Sequence, residues 1–226
     1  MRRPFRSYLL TLLFLNGALL SAGIPVPPAT TWRMQETKAI GGHPTTLFGH
    51  PQVVADASSE EIHFNGSSDG LLVPVNPLAG WPEFTVEALI CPETGGAAEQ
   101  RFFHLEDDEG NRVMMEIRLT KDGWALDTFL LAKKSDSKCT LLDRAKLHPT
   151  ERWTWVALVY ANGHLTSYVE GVRELTGNVD FLPMTSGRLS LGVRQNKMYW
   201  YKGSLGGIRF HPTALPPEKL QQAEFK

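Results

Sequence analysis

RWTWVALVYANGHLTSYVEG, residues 152–171, decides the fold of this 226-residue chain. It reads as two strands joined by a tight turn. Trp153, Trp155, Ala157 and Val159 alternate with Thr154, Val156, Leu158 and Tyr160. Both faces of the first strand therefore carry large β-formers, and the strand is expected to be covered on both sides. Asn162-Gly163 accepts positive φ at both turn positions, which makes it the strongest short hairpin signal in the sequence. The second strand, 164–169, stops at Glu170-Gly171, where glycine can turn the chain back. A helix is excluded, because β-branched and aromatic residues dominate and no apolar spacing of three to four persists. Trp153 or Trp155 is expected deep in the core.

Outward from this hairpin the chain keeps the same grammar. Residues 84–91 alternate Phe84, Val86, Ala88 and Ile90 against Thr85, Glu87 and Leu89. Residues 101–105 and 113–119 flank an Asp/Gly/Asn turn at 107–111, and 124–132 follows Asp122-Gly123. Further short strands are expected at 32–34, 62–64, 70–75, 139–142, 188–194 and 204–210. Residues 216–223 are the one credible helix, with proline early in it, where a missing N–H costs nothing. Strand pairs at this spacing with turn chemistry between them predict an all-β antiparallel sandwich with one short C-terminal helix.

Composition sets the bounds. Hydrophobic residues at 42% and charged residues at 21% are ordinary for a globular chain and exclude disordered and collagen-like readings. A formal net charge of −1 offers no general attraction to nucleic acid or to an anionic membrane. Arg2, Arg3 and Arg6 precede an apolar run at 8–20, and Leu20-Ser21-Ala22-Gly23 supplies small residues before the proline-rich 24–31. This is a secretory signal over 1–23; its apolar core of about 13 residues is short for a span that needs roughly 20. An uncleaved N-terminal anchor is the competing reading. Cleavage leaves 20 basic residues against 24 acidic ones, a formal −4. The expected organisation is signal 1–23, linker 24–31 and one domain over 32–226. Cys91 and Cys139 both fall in the exported part, where an oxidising compartment permits a Cys91–Cys139 disulfide, two buried thiols being the alternative.

The motifs have a family resemblance. The run W-x-x-V-A-L-V-Y-x-x-G-x-x-x-x-Y-V-x-G resembles the central signature of laminin G-like, concanavalin A-like jelly-roll domains. Phe64-Asn65-Gly66 with Asp69 and Leu71-Leu72-Val73 resembles the family's opening, and Phe84-Thr85-Val86-Glu87-Ala88 its next strand. Ser190-Leu191-Gly192, then 203–210 and Ala214-Leu215, resemble its closing strands. The resemblance implies a two-sheet jelly roll, an exported binding module and, as is common in the family, calcium.

Candidate chemistry divides in three. His104, Glu116 and Arg118 are polar positions in otherwise apolar strands; together in a groove they would suit proton transfer in a polysaccharide hydrolase or lyase, and otherwise they form a solvated face. No strand carries the alternating acids of a sandwich glycosidase, and no phosphate loop, nucleophile elbow or His-Glu-x-x-His helix exists. Asp107 and Asp108 head the one acidic cluster, a calcium candidate whose residues are also those a hairpin turn selects. Arg194, Asn196, Trp200 and Tyr201 combine stacking rings with planar donors in the loop before the closing strand, which suits a sugar, or else the rings start a strand and enter the core.

The reading favoured by these residues is an exported, non-catalytic, secreted or periplasmic module binding a glycan or an extracellular protein. It expects no organic cofactor, no nucleic acid and no membrane contact beyond the signal. Mass spectrometry of the exported fraction should find a mature N-terminus near Gly23 or Ile24; an intact 1–22 there would establish the anchor instead.

Overall fold

The computed structural model describes residues 29–55 and 60–223. The expected signal at 1–23, most of the proline-rich 24–31 and the last three residues lie outside them. In chain order the strands are β1 (Thr30–Arg33), β2 (Ala39–Ile40), β3 (His43–Pro44), β4 (Thr46–Phe48), β5 (Gln52–Ala55), β6 (Glu60–Asn65), β7 (Gly70–Val73), β8 (Phe84–Pro92) and β9 (Glu99–Glu106). They continue as β10 (Arg112–Thr120), β11 (Gly123–Ala132), β12 (Ser137–Leu142), β13 (Thr154–Ala161), β14 (His164–Val169), β15 (Val172–Asn178), β16 (Arg188–Leu191) and β17 (Lys202–His211). The first sheet runs β15-β14-β13-β8-β17-β6-β5, with β1 also on β17; the second runs β12-β11-β10-β9-β16-β7-β4. All strand pairs are antiparallel, and the two large sheets form the expected jelly-roll sandwich.

Alternation along each strand explains the core. Phe84, Val86, Ala88 and Ile90 of β8 and Val156, Leu158 and Tyr160 of β13 point inward from the first sheet. Val113, Met115 and Ile117 of β10 and Leu126 and Leu130 of β11 meet them from the second. A bulge between Leu205 and Gly207 shifts the parity of β17, so that Leu205, Ile208 and Phe210 all face inward.

The central hairpin forms at 154–169, with Asn162 and Gly163 both at positive φ, 51° and 78°. Its tryptophans, however, are not the core ones. Trp155 lies on the outer face with Ala157 and Val159, and Trp153 is likewise half-buried. The deep indoles are Trp124, 0% exposed with its N–H donating to the Pro149 carbonyl at 2.9 Å, and Trp32, edge-on to Phe210 at 4.9 Å. Sequence alternation separates two faces but does not say which faces the other sheet. The outer face is apolar for a different reason: Ala214, Leu215 and Leu220 of the C-terminal segment pack over Ala157, Val159 and Tyr168.

That segment also corrects the expected helix at 216–223. Only a single 3-10 turn, Pro217–Lys219, forms, and Leu220 is already extended at φ −73°, ψ 150°. The prolines at 216 and 217 remove two amide donors. Gln221 N–H then donates to Glu87 Oε1 and Ala223 N–H to Glu170 Oε2, both at 2.6 Å, which holds the tail stretched across the sheet.

Of the two readings of the cysteines, the structure has the free thiols. Cys91 sits on β8 of the first sheet and Cys139 on β12 of the second, where its sulfur packs against Gly177. Strand β15 was not legible, because an exposed edge strand of the type VRELTGN carries no apolar alternation.

Trp124→Ala should lower stability by about 3–5 kcal/mol in denaturant unfolding, as for an aromatic removed from a packed core. Trp155→Ala should cost clearly less. Equal losses would place Trp155 in the core after all.

Candidate functional site

Polar side chains converge on the outer face of the second sheet because neighbouring strands set them in register. Glu116 of β10 lies opposite Asp127 of β11 and Arg101 of β9, and Arg118 lies opposite Glu99. Arg101 Nε is 2.9 Å from Glu116 Oε1. Arg118 Nη2 bridges Glu116 Oε2 at 3.2 Å and Asp127 Oδ2 at 2.5 Å, while its Nη1 reaches Glu99 at 3.0 Å. Two guanidiniums and three carboxylates therefore alternate. Glu116 and Asp127 are each 2% exposed, so this face is roofed rather than solvated.

The roof is the loop 192–201. Gly192 N–H donates to the Phe102 carbonyl and Tyr201 N–H to the Gly192 carbonyl, which fixes both ends. A tight turn closes with Lys197 N–H on the Arg194 carbonyl at 2.8 Å. Lys197 and Tyr199 hold positive φ of 61° and 64°. Such non-glycine residues persist only where surrounding contacts over-determine them. Here the Arg101 guanidinium lies 3.7 Å from the centre of the Tyr199 ring, and Arg101 N–H donates to the Tyr199 carbonyl.

Of the expected catalytic trio, Glu116 and Arg118 meet, and His104 stands apart. Its Nδ1 accepts the Gln195 N–H at 3.2 Å, and its Nε2 lies 3.3 Å from Glu106. Burial, with Arg194, Arg112 and Arg101 nearby, pushes the His104 imidazole down to about 3, so it is neutral near pH 7. Burial pushes the Glu116 carboxyl up from 4.5 to about 7 against the pull of Arg101, with Asp127 adding to the rise. Asp127 is raised by burial as well, opposed by Arg118.

The expected binding loop is split by the structure. Asn196 is exposed, Arg194 and Trp200 are half-buried, and Tyr201 is 0% exposed against Phe64 and Phe102. Tyr201 is therefore a core residue and offers no ring face to a ligand. Beside the loop lies a cleft of about 410 Å³ lined by Glu106, Asp107, Asp108, Arg188, Gln195 and Asn196. Arg188 Nε donates to Gln195 Oε1 at 3.2 Å, and Gln195 Nε2 to the Arg188 carbonyl at 2.7 Å. Sequence reasoning missed Arg101, Tyr199, Arg188 and Gln195. The hairpin register marks Arg101 only once the bulge at Phe102, which shifts β9 against β10 between Met115 and Glu116, is known.

Asp107 is committed to its turn. Its Oδ1 accepts the amides of Glu109 and Asn111, and its Oδ2 accepts Asn111 Nδ2 at 2.7 Å. Asp108 is exposed. Among the described residues no group of three or more His, Cys, Asp or Glu side chains is placed to hold a metal ion.

Residues 65–221 match the laminin G-like family described as the concanavalin A-like lectin/glucanases superfamily, and the chain belongs to it. Among solved structures, the chain is similar to domain 4 of AbnA, an extracellular arabinanase of Geobacillus stearothermophilus described in complex with arabinotriose. The identity is 22%, 79% of this chain and 87% of that one are covered, and the TM-score is 0.56. The SAP-like pentraxin of Limulus polyphemus matches at 17% identity over 74% of this chain and 82% of that one, TM-score 0.59. The binding domain of botulinum neurotoxin serotype D matches at 12% identity with a TM-score of 0.62, over 84% of this chain and 49% of that one. This chain thus spans about half the length of the toxin chain. No match was found among curated proteins.

Because the folded-state value of Glu116 lies above its unfolded one, its protonated form favours the fold. That stabilisation is complete below about pH 4.5 and is lost as the pH rises through 7. Glu116→Gln should therefore gain on the parent between these limits, by roughly 3 kcal/mol at most. A difference that stays flat with pH in denaturant unfolding would refute the assignment.

Proposed function

We propose that this protein is an exported, non-catalytic binding module that recognises a glycan at the rim of its second sheet. The observation that carries the reading is the open cleft of about 410 Å³ whose walls are planar hydrogen-bonding groups, Arg188, Gln195 and Asn196, facing the carboxylates Glu106 and Asp108. Paired amides, guanidiniums and carboxylates match the vicinal hydroxyls of a sugar ring, each of which both donates and accepts. Arg194 and Trp200, both half-buried on the same loop, would supply a further donor and an apolar face. The fold relatives described with arabinotriose and with sialyl-T sugars support the ligand class.

The non-catalytic half of the reading rests on the burial of Glu116 and Asp127. Both carboxylates are held on Arg118, and neither reaches the cleft wall. Of the acids that do line the cleft, Glu106 is paired with Arg112 at 3.4 Å and Asp107 accepts the amides of its own turn, whereas a glycosidase needs two available carboxyl groups flanking the bond. Export rests on the basic and apolar leader at 1–23.

On a glycan array, Asn196→Ala and Trp200→Ala should each weaken binding at least about tenfold, equivalent to about 1.4 kcal/mol. Melting temperatures should stay near the parent's. Glu116→Gln should leave glycan binding intact. Turnover of a polysaccharide that Glu116→Gln abolishes would replace the module with an enzyme.

A further inference from the structure

The second outer face of the sandwich carries a depression that the rim cleft does not explain. It measures about 400 Å³ and lies over the first sheet, lined among others by Trp155, Leu89, Gly206, Gly207, Arg33 and Arg209. Strand register generates it. Trp155 of β13 lies opposite Leu89 of β8, Leu89 opposite Gly207 of β17, and Gly207 opposite Arg33 of β1. One row across four strands thus runs from an indole through an aliphatic side chain and a bare backbone to a guanidinium. In the next row Glu87 lies opposite Arg209, and Arg209 opposite Thr31.

Three features make this row more than an accidental dent. The C-terminal tail covers Ala157, Val159 and Tyr168 with Leu220, but Trp155, on the same face, stays half-buried. Its backbone is fixed by donating to Glu170 Oε1 at 2.7 Å. The floor is kept open by glycine for reasons of space rather than conformation. Gly207 is not at positive φ, and a Cβ there would meet only the Trp32 carbonyl oxygen, at 3.4 Å. Any side chain would begin to fill the depression.

Charge identifies the occupant. Arg33 is exposed and has no carboxylate partner among the described residues. Arg209 Nη1 is 3.8 Å from Glu87 Oε2, but that carboxylate is 1% exposed and already accepts from His211 Nε2 at 2.9 Å and from Gln221 N–H. The remaining lining residues include no acid, whereas the rim cleft has three. Two guanidiniums beside an indole and a flat apolar floor match a sugar ring bearing an anionic group.

We propose that this depression binds an anionic saccharide unit, a uronate or a sulfated sugar. The saccharide spans Trp155, Leu89 and the Gly207 backbone, and its anionic group lies on Arg33 and Arg209. The site is separate from the rim cleft and does not depend on it.

The test is calorimetric titration of the full chain at low salt with a galacturonate tetrasaccharide, a sulfated tetrasaccharide and neutral cellotetraose. At least one anionic probe should bind about tenfold more tightly than the neutral one and weaken as salt is raised. The preferred anionic probe identifies carboxylate or sulfate as the group read. Trp155→Ala and Arg33→Ala should each weaken that probe at least about tenfold, and Asn196→Ala should leave it unchanged. Arg33 is exposed on a short strand, so its variant remains informative even if Trp155→Ala destabilises the fold. Gly207→Val should block the site. The proposal is overturned if no anionic probe binds, if cellotetraose binds as tightly, or if Arg33→Ala binds like the parent. Loss in Asn196→Ala alone would assign the anion to the rim cleft.

Discussion

The antiparallel pairing of β8 with β17 is the constraint on which the rest of the molecule depends. It joins residues 111 to 126 positions apart, from Gly203 opposite Pro92 to His211 opposite Thr85. A closure of that length brings no local reward until both partners are in place, so it is a late and slow step of the kind that limits β-sandwich folding. Once formed, it places the bulge at Gly206, and the bulge sets the parity of everything after it. Ile208 and Phe210 turn inward, and Arg209 and His211 turn outward to Glu87.

Glu87 makes the outer face of the first sheet possible. A carboxylate 1% exposed is costly unless its lone pairs are filled, and here one histidine, one backbone amide and a nearby arginine attend to it. The amide belongs to Gln221, so satisfying the charge also draws the C-terminal tail across the sheet. The tail in turn buries Ala157, Val159 and Tyr168. This is why β13 carries apolar residues on both faces: one meets the second sheet, the other meets the tail.

Much of this was legible in the sequence, and the misreadings share a cause. Asn162-Gly163, Asp122-Gly123 and the alternation in 84–91 and 113–119 state strands and turns locally, and those elements are present. What alternation does not state is which of two faces meets which layer. Alternation groups Trp153 and Trp155 with Ala157 and Val159, but it carries no sign of the tail that covers part of that face from some 60 residues away in the chain. Tyr201 beside Trp200 is the same problem over one residue: the loop turns Tyr201 into the core against Phe64 and Phe102 and leaves Trp200 half-buried. Glu116 and Arg118 were visible as outward polar positions; their partner Arg101 was hidden by the bulge at Phe102.

The charged network on the second sheet is better understood as a scaffold than as chemistry. Alternating guanidiniums and carboxylates offset one another's charge, and truncating Arg118 would leave Asp127 buried without its guanidinium. The network's free face is the Arg101 guanidinium, and on it rests the Tyr199 ring. That contact, with the Arg101 amide on the Tyr199 carbonyl, holds Lys197 and Tyr199 in left-handed backbone that their side chains disfavour. The loop so fixed presents Gln195 and Asn196 to the rim cleft. The contacts that bury Glu116 thus also give the cleft a rigid wall. A preorganised wall loses little freedom when it closes on a ligand. In this sandwich the Tyr199 ring on the Arg101 guanidinium, rather than the charge on Glu116, holds the loop in place.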